Sequence, residues 1–206
     1  MGANPDTAIQ SVRDRLNLEP VEVQLPVGAG DDFSAVVDLV RMELLRWQGE
    51  QGRDVIREPV PPELNDKALL ARDSMCARVA EVNEELTDAY LETGTLTEMQ
   101  IHSGLRQGVN QRAFVPVLFG AALRNLGVQP ILDAVIDWMP SPLDRPAIAA
   151  HDLQGKELRC LPDPKHPVVA LVFKIFHEKY GDLHYLRIYS GTLKERQRLL
   201  VARTGR

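Results

Sequence analysis

The sequence predicts an α/β chain with an α+β middle and a β-rich end, and three observations predict it. An apolar run at residues 114–119, followed by a helical apolar stripe at 128–139, reads as strand, loop and helix. β-prone segments before residue 60 give way to a long acidic helical stretch, and two further β-prone runs follow a polar, proline-bearing stretch near residue 150. With 206 residues, 44% hydrophobic and 26% charged, the chain is long enough for one large or two small domains of ordinary composition.

In chain order, Asn4 and Pro5 mark a helix start, the first capping free amides and the second presetting φ. Ala8, Ile9, Val12 and Leu16 give that helix its apolar stripe. Val21, Val23, Leu25 and Val27 alternate with Glu22, Gln24 and Pro26, the period of a half-exposed strand. The turn Gly28-Ala29-Gly30-Asp31-Asp32 is not a phosphate loop, which needs glycines followed by Lys and Ser or Thr; nothing of that form occurs in the chain. Residues 33–40 and 42–47 are strand candidates that join the strand from Val21 in a small antiparallel sheet, with a polar turn at 48–52. Pro59, Pro61 and Pro62 precede one long helix, from about Glu63 to Leu91. Its apolar positions include Leu69, Leu70, Cys76, Val79, Leu86 and Tyr90, and Gly94 ends it. Thr97 with Gln100 has the form of a capping box opening a second helix, anchored by Ile101 and Leu105.

Phe114, Val115, Val117, Leu118 and Phe119 suit a parallel strand covered on both faces, with Pro116 near its start because proline cannot donate to the ladder. After a loop, Val128, Ile131, Leu132, Val135, Ile136 and Met139 line one face of a helix, Gln129, Asp133 and Asp137 the other, and Pro140 and Pro142 stop it. Residues 147–166 read as an interdomain linker. Residues 168–176 and 183–189 then read as a hairpin joined by a charged turn.

Cys76 and Cys160 are far apart and no zinc motif is visible, so a reducing cytoplasm is the default compartment. No apolar stretch approaches the length of a membrane span. A net charge of −5 argues against a free-standing DNA or RNA binder. The charge is unevenly placed: residues 61–92 carry eight acidic side chains against three basic, and residues 167–206 carry eight basic against three acidic, as if two different partners were addressed. The five histidines are scattered, no metal site is expected, and pairs such as Glu84-Glu85 or Asp31-Asp32 read as solvated faces.

The wording of the strand, loop and helix adds a family resemblance. Gly120-Ala121-Ala122-Leu123, Asn125, Gly127-Val128-Gln129-Pro130, Leu132 through Asp137 and Pro140-Ser141-Pro142 resemble the end of the GTP-binding domain of the bacterial elongation factor G family of translational GTPases. Pro20 through Gly28, Phe33, Val36 through Leu39, Trp47, Leu86, Tyr90 through Glu92 and Leu96-Thr97-Glu98 are similar to the subdomain inserted in that domain. Met1-Gly2-Ala3-Asn4 resembles the segment directly after the family's Asn-Lys-x-Asp motif. Val172 through Ile175 and Leu186 through Leu193 resemble the opening of its β-barrel second domain.

The resemblance implies an internal fragment. Residues 1–19 are part of a P-loop GTPase domain, 20–112 the inserted subdomain, 113–142 the end of the GTPase domain, 143–166 a linker and 167–206 the start of the barrel. It further implies that the parent is cytoplasmic, takes GTP or GDP with Mg²⁺, and promotes ribosomal translocation of tRNA and mRNA; a recycling paralogue or a non-enzymatic interaction module are the alternatives. In the family a Gly-Ser-Ala-Leu or Gly-Ser-Ala-Phe loop reads guanine through a backbone amide. The matching residues are Ala121, Ala122 and Leu123, with Ala122 as donor and Ala121 in the place of a serine whose hydroxyl would brace the loop. Read without the family, the same residues make a plain βα turn. No catalytic residue is expected in this chain. Glu81, Glu84, Glu85 and Asp88 form either a docking face for the ribosomal stalk protein or a solvated helix face. Lys174, Arg187 and Lys194 are the candidates for contact with small-subunit ribosomal RNA.

Overall fold

The computed structural model describes residues 3–49, 52–152, 154–179, 181–202 and 204–205; of the residues used above, Met1, Gly2, Glu50, Gln51, Arg203 and Arg206 lie outside them. The chain divides into two units, Met1–Met139 and Pro140–Arg206.

The first unit opens with helix α1 (Pro5–Leu16), whose start is set locally: the Asn4 side chain accepts from the Thr7 amide at 3.1 Å and Pro5 occupies the first turn. Only Ile9 of its apolar stripe is buried, and Leu16 is exposed. The expected strand from Val21 is two strands. β1 (Pro20–Glu22) pairs in parallel with β6 (Val115–Val117), while β2 (Gln24–Val27) begins an antiparallel meander with β3 (Ala35–Asp38), β4 (Glu43–Gln48) and β5 (Asp54–Pro59). The chain changes sheet at Val23, whose N–H bonds to Val117 while its carbonyl accepts from Leu39. Gln24, expected on a wet face, is buried because its Oε1 accepts the Phe119 amide at 3.1 Å, so the polar group is satisfied inside.

The meander is covered on both faces, and the two-residue period of its strands sorts the side chains. Leu25, Ala35, Val37 and Leu44 join the main core with helices α2 (Pro62–Ala80), α3 (Glu84–Thr93) and α4 (Glu98–Gln111), supplied chiefly by Met75, Cys76, Val79, Leu86, Ile101 and Leu105. Val36 and Leu45 face the other way into a second cluster with Phe33, against which Trp47, Val55, Phe119, Ala121 and Leu126 pack.

The single helix expected from Glu63 to Leu91 is broken. Asn83 turns extended and its side chain accepts from the Leu86 amide at 2.9 Å, so it caps a new helix and residues 81–83 form the joint. The break lets both helices lie on α4. Leu69 and Leu70, expected on the apolar face, are exposed at 50% and 74%. Arg72 instead turns inward and donates to Leu39 O, to Val40 O at 2.6 Å and to Leu96 O at 3.0 Å, tying the sheet to the α3–α4 loop. The expected capping box at Thr97 and Gln100 is present.

Strand β6 is three residues long, pairs with β1 only, and leaves Val115 37% exposed, so the expected cover on both faces is absent among the described residues. Val115 N–H reaches Glu19 O and Val117 O takes Val23 N–H, which turns the nitrogen of Pro116 toward the opposite edge. Helix α5 (Val128–Trp138) carries the expected stripe, but the stripe faces out: Ile131, Leu132, Val135, Ile136 and Met139 are exposed, and Ala134 and Trp138 are buried instead. Two bonds to α4 fix that rotation, Trp138 Nε1 to His102 Nδ1 at 3.0 Å and Arg106 to the Asp137 carbonyl at 2.9 Å.

In the second unit, the expected linker contains a hairpin, β7 (Ile148–His151) with β8 (Glu157–Cys160). Its polar residues make the turn: Asp152 accepts from the Gln154 and Lys156 amides, each at 2.9 Å. The long hairpin of β9 (Val169–Glu178) and β10 (Gly181–Ser190) is formed as expected, with register shifts between Tyr185 and Leu186 and between Ile188 and Ser190. Most of its side chains are exposed, Leu171, Phe173, Ile175, Phe176 and Ile188 among them.

Candidate functional site

The loop from Phe119 to Val128 must reverse the chain leaving β6 and start α5 within eight residues. Two glycines make that possible. Gly127 has φ +80°, and a Cβ there would stand 2.5 Å from Phe119 O and 2.7 Å from the Gly120 Cα; a Cβ on Gly120 would stand 2.8 Å from Leu126 O. The two backbones therefore cross in contact, which no side chain would allow. Above this neck Ala121 and Leu126 exchange backbone bonds at 2.9 and 3.2 Å, and residues Ala122–Arg124 make one tight helical turn ending at Asn125, which is left-handed at φ 54°.

The loop has a dry side and a wet side. The Ala121 methyl, Phe119 and Leu126 pack on the cluster of Phe33, Val36 and Leu45. Ala122 is exposed, Leu123 is fully so, and the Ala122 N–H makes no backbone hydrogen bond among the described residues. An apolar cavity of about 350 Å³ flanks the loop, lined by Asn4, Ile9, Val12, Phe33, Phe119 and others. What the loop offers chemically is amide donors without a backbone partner among the described residues, those of Ala122 and Leu123, next to residues that line an apolar hollow.

Polar ties anchor the loop to the meander sheet. Arg124 donates to Phe33 O at 2.9 Å and to Gly30 O and Asp31 O at 3.3 Å each; Asn125 and Gln129 both reach Gly52 O at 3.4 Å; and Trp47 Nε1 donates to Gln129 Oε1 at 3.1 Å.

The other candidates divide into groups. Glu84 and Glu85 lie in the first turn of α3, where the helix dipole favours their charge, and Asp88 lies one turn on, all exposed. Glu81 is not on that helix: it is the C-terminal cap of α2 and is ion-paired with Arg78. Lys174 and Tyr185 are register partners, with the Lys174 ammonium 5.5 Å from the centre of the Tyr185 ring, and Arg187 lies two residues along the same strand, so both cations share one hairpin face. Lys194 lies beyond the hairpin in a turn closed by Gln197, and no described contact joins it to them.

No protein-family model matches the chain. Curated proteins do. Elongation factor G of Fervidobacterium nodosum and that of Neorickettsia sennetsu are each 40% identical over 195 residues, 94% of this chain; elongation factor G of Thermotoga neapolitana is 40% identical over 197 residues, 95% of this chain. Over nearly its whole length the chain is similar to one stretch of elongation factor G. It spans 28% of the length of those elongation factor G relatives. A crystal structure of a protein from Thermus thermophilus superposes with a TM-score of 0.69 over 94% of this chain and 26% of that one; at 23% identity it speaks for the fold, a mixed α/β chain with several small sheets.

Against the elongation factor G background, sequence reasoning reached the loop residues and missed what holds them. Arg124, Asn125, Gln129 and Trp47 meet partners 73 to 94 positions away across the loop and sheet. The available signal was narrow: an arginine within the loop, whose backbone-carbonyl partners lie more than 90 positions away in sequence.

Proposed function

We propose that this chain carries the base-reading edge, the inserted subdomain and the start of the second domain of a ribosome-dependent translational GTPase that promotes movement of tRNA and mRNA. On this reading residues 1–19 and 113–142 belong to the GTPase domain, 20–112 to the insertion, and 167–206 to the barrel. The observation that carries it is the exposed Ala122, whose amide has no backbone partner among the described residues, on a braced loop in a chain 40% identical to elongation factor G over 94% of its length. That amide fits the 6-oxygen of guanine, an acceptor that adenine replaces with a donor. Ala121 takes the place of a bracing serine by packing its methyl on the second cluster.

In the parent, GTP with Mg²⁺ would supply the bond to be broken, between its β- and γ-phosphates, leaving GDP and phosphate. This chain's part is to orient the base; the sequence contains no glycine-rich turn followed by Lys and Ser or Thr to hold the phosphates. Glu84, Glu85 and Asp88, with Glu81 beside them, present a negative surface to the stalk protein. Lys174, Arg187 and Lys194 present positive charge to ribosomal RNA. The test is GTP hydrolysis by the full-length factor with and without ribosomes. Turnover should rise steeply with ribosomes, and a factor whose turnover is indifferent to them defeats the proposal. Reversing Glu84, Glu85 and Asp88 to lysine should lower the ribosome-stimulated rate and leave nucleotide affinity unchanged.

A further inference from the structure

We infer that Arg124 is a positioning residue for the base-reading loop, setting the place of the Ala122 amide through the turn at residues 28–33 of the inserted sheet. The inference rests on reading residues 120–127 as that loop.

The turn is built to present carbonyls. Gly28 takes φ +79°, where a Cβ would lie 2.1 Å from Asp32 O, and the bonds from Asp32 N to Ala29 O and from Phe33 N to Gly30 O wind the following residues tightly. The carbonyls of Gly30, Asp31 and Phe33 then lie within reach of one planar guanidinium, which donates to all three. Such a fork fixes orientation as well as distance, which a lysine's single ammonium does not. Arg124 sits in the same helical turn as Ala122, so its tether sets the direction of the Ala122 N–H.

Other ties join the region to the sheet from the α5 side: Asn125 and Gln129 reach Gly52 O at 3.4 Å and Trp47 Nε1 donates to Gln129 Oε1 at 3.1 Å, while the Ala121 methyl contributes packing without direction; Arg124 alone of these residues lies within the turn that holds Ala122. The Gly52 backbone itself lies close: a Cβ there would be 3.2 Å from Arg124 O. Loop and sheet therefore form one bonded body, and a displacement of the sheet turn is passed to the amide that faces the base. Arg124 touches no nucleotide atom on this account; it acts through Ala122.

The experiment uses the full-length factor with Arg124→Met and Arg124→Lys, and two ligands: GDP and the diphosphate of 2-aminopurine riboside, which lacks the 6-oxygen. Arg124→Met should weaken GDP about tenfold, the weight of one well-placed hydrogen bond, and leave the analogue within about twofold, with Arg124→Lys falling between. Amide exchange of residues 29–33 and 121–127 should quicken together in Arg124→Met. Unchanged GDP affinity, or equal weakening of both ligands, overturns the positioning role, since general loosening of the fold does not distinguish the 6-oxygen. A wild-type factor that binds the two ligands equally defeats the base-loop reading itself, and the inference with it.

Discussion

Gly108 gives the sharpest packing prediction, because two opposing effects can be weighed there. Alanine is the better helix former by about 1 kcal/mol, so Gly108→Ala in the interior of α4 would ordinarily stabilise. Here the added Cβ would stand 2.2, 2.4 and 2.8 Å from three ring atoms of Phe114, which is itself 4% exposed. A ring edge cannot swing aside as the end of a flexible side chain does, so α4 and the residues leading into β6 must separate. Overpacking of this kind costs roughly 1–3 kcal/mol and outweighs the propensity gain in most of that range. The expected net is a loss of about 1 kcal/mol or somewhat more, a drop in Tm of about 2–5 °C for a unit of this size. Trp47 and Trp138 both lie in the first unit, so tryptophan fluorescence follows its unfolding separately from the second. Removing the obstacle should reverse the sign: in a Phe114→Leu background Gly108→Ala should be neutral or stabilising. A rise in Tm for Gly108→Ala alone would refute the packing argument.

Three other places in the molecule are open to equally specific tests. Burial pushes the Asp38 carboxyl above the usual aspartate value, while the Val40 and Arg41 amides it accepts pull the other way. A raised folded pKa means that the folded state holds the proton more tightly, so this group costs stability as pH rises from about 3.9 through its folded value. Asp38→Asn, which keeps both accepted bonds, should flatten that part of the urea-midpoint-against-pH curve; an unaltered curve would remove Asp38 as its source. Asn83→Ala takes away the cap of α3 and the bond donated to Gln107 Oε1, and should cost about 1–2 kcal/mol, with faster amide exchange at Leu86, whereas Asn83→Asp keeps the cap, loses only the donated bond and should cost less than Asn83→Ala. Replacing Lys174 and Arg187 together by glutamine should reduce the salt dependence of the full-length factor's ribosome affinity, with the log–log slope falling by about one to two; an unchanged slope would exclude that hairpin face from RNA.

The parts of the fold that were legible in the sequence are those decided within a few residues. Asn4 with Pro5, and Thr97 with Gln100, name their helix starts because each cap is satisfied three positions away. The stripe on α5 was legible as a period but not as a direction, since its rotation is set by Trp138 reaching His102 and Arg106 reaching the Asp137 carbonyl on another helix. The split at Val23 was hidden for a similar reason: alternation runs unbroken from Val21 to Val27, and only the pairing with Val117 and Leu39 sends the chain from one sheet to the other. Strand β5 went unread because Arg57 and Glu58 interrupt its apolar run. They are paired on the neighbouring strand, Arg57 with Glu43 at 3.1 Å and Glu58 with Arg46 at 3.1 Å. At the candidate site the residues that would face a ligand were legible through family wording, while the arginine that orients them was not, because its partners are backbone carbonyls and carry no sequence signature.

The central claim, that the Ala122 N–H reads a guanine base, has a direct test. Ala122→Pro removes that hydrogen: the residue opens a helical turn, where proline's φ is at home, and Ala121 before it, at φ −126°, ψ 82°, is outside the α region that a following proline disfavours and needs ψ to open by roughly 40° to reach the preferred range. Isothermal titration of the full-length factor with GDP should show a loss of about tenfold or more for Ala122→Pro at an unchanged Tm. GDP affinity equal to that of the wild type would contradict the account.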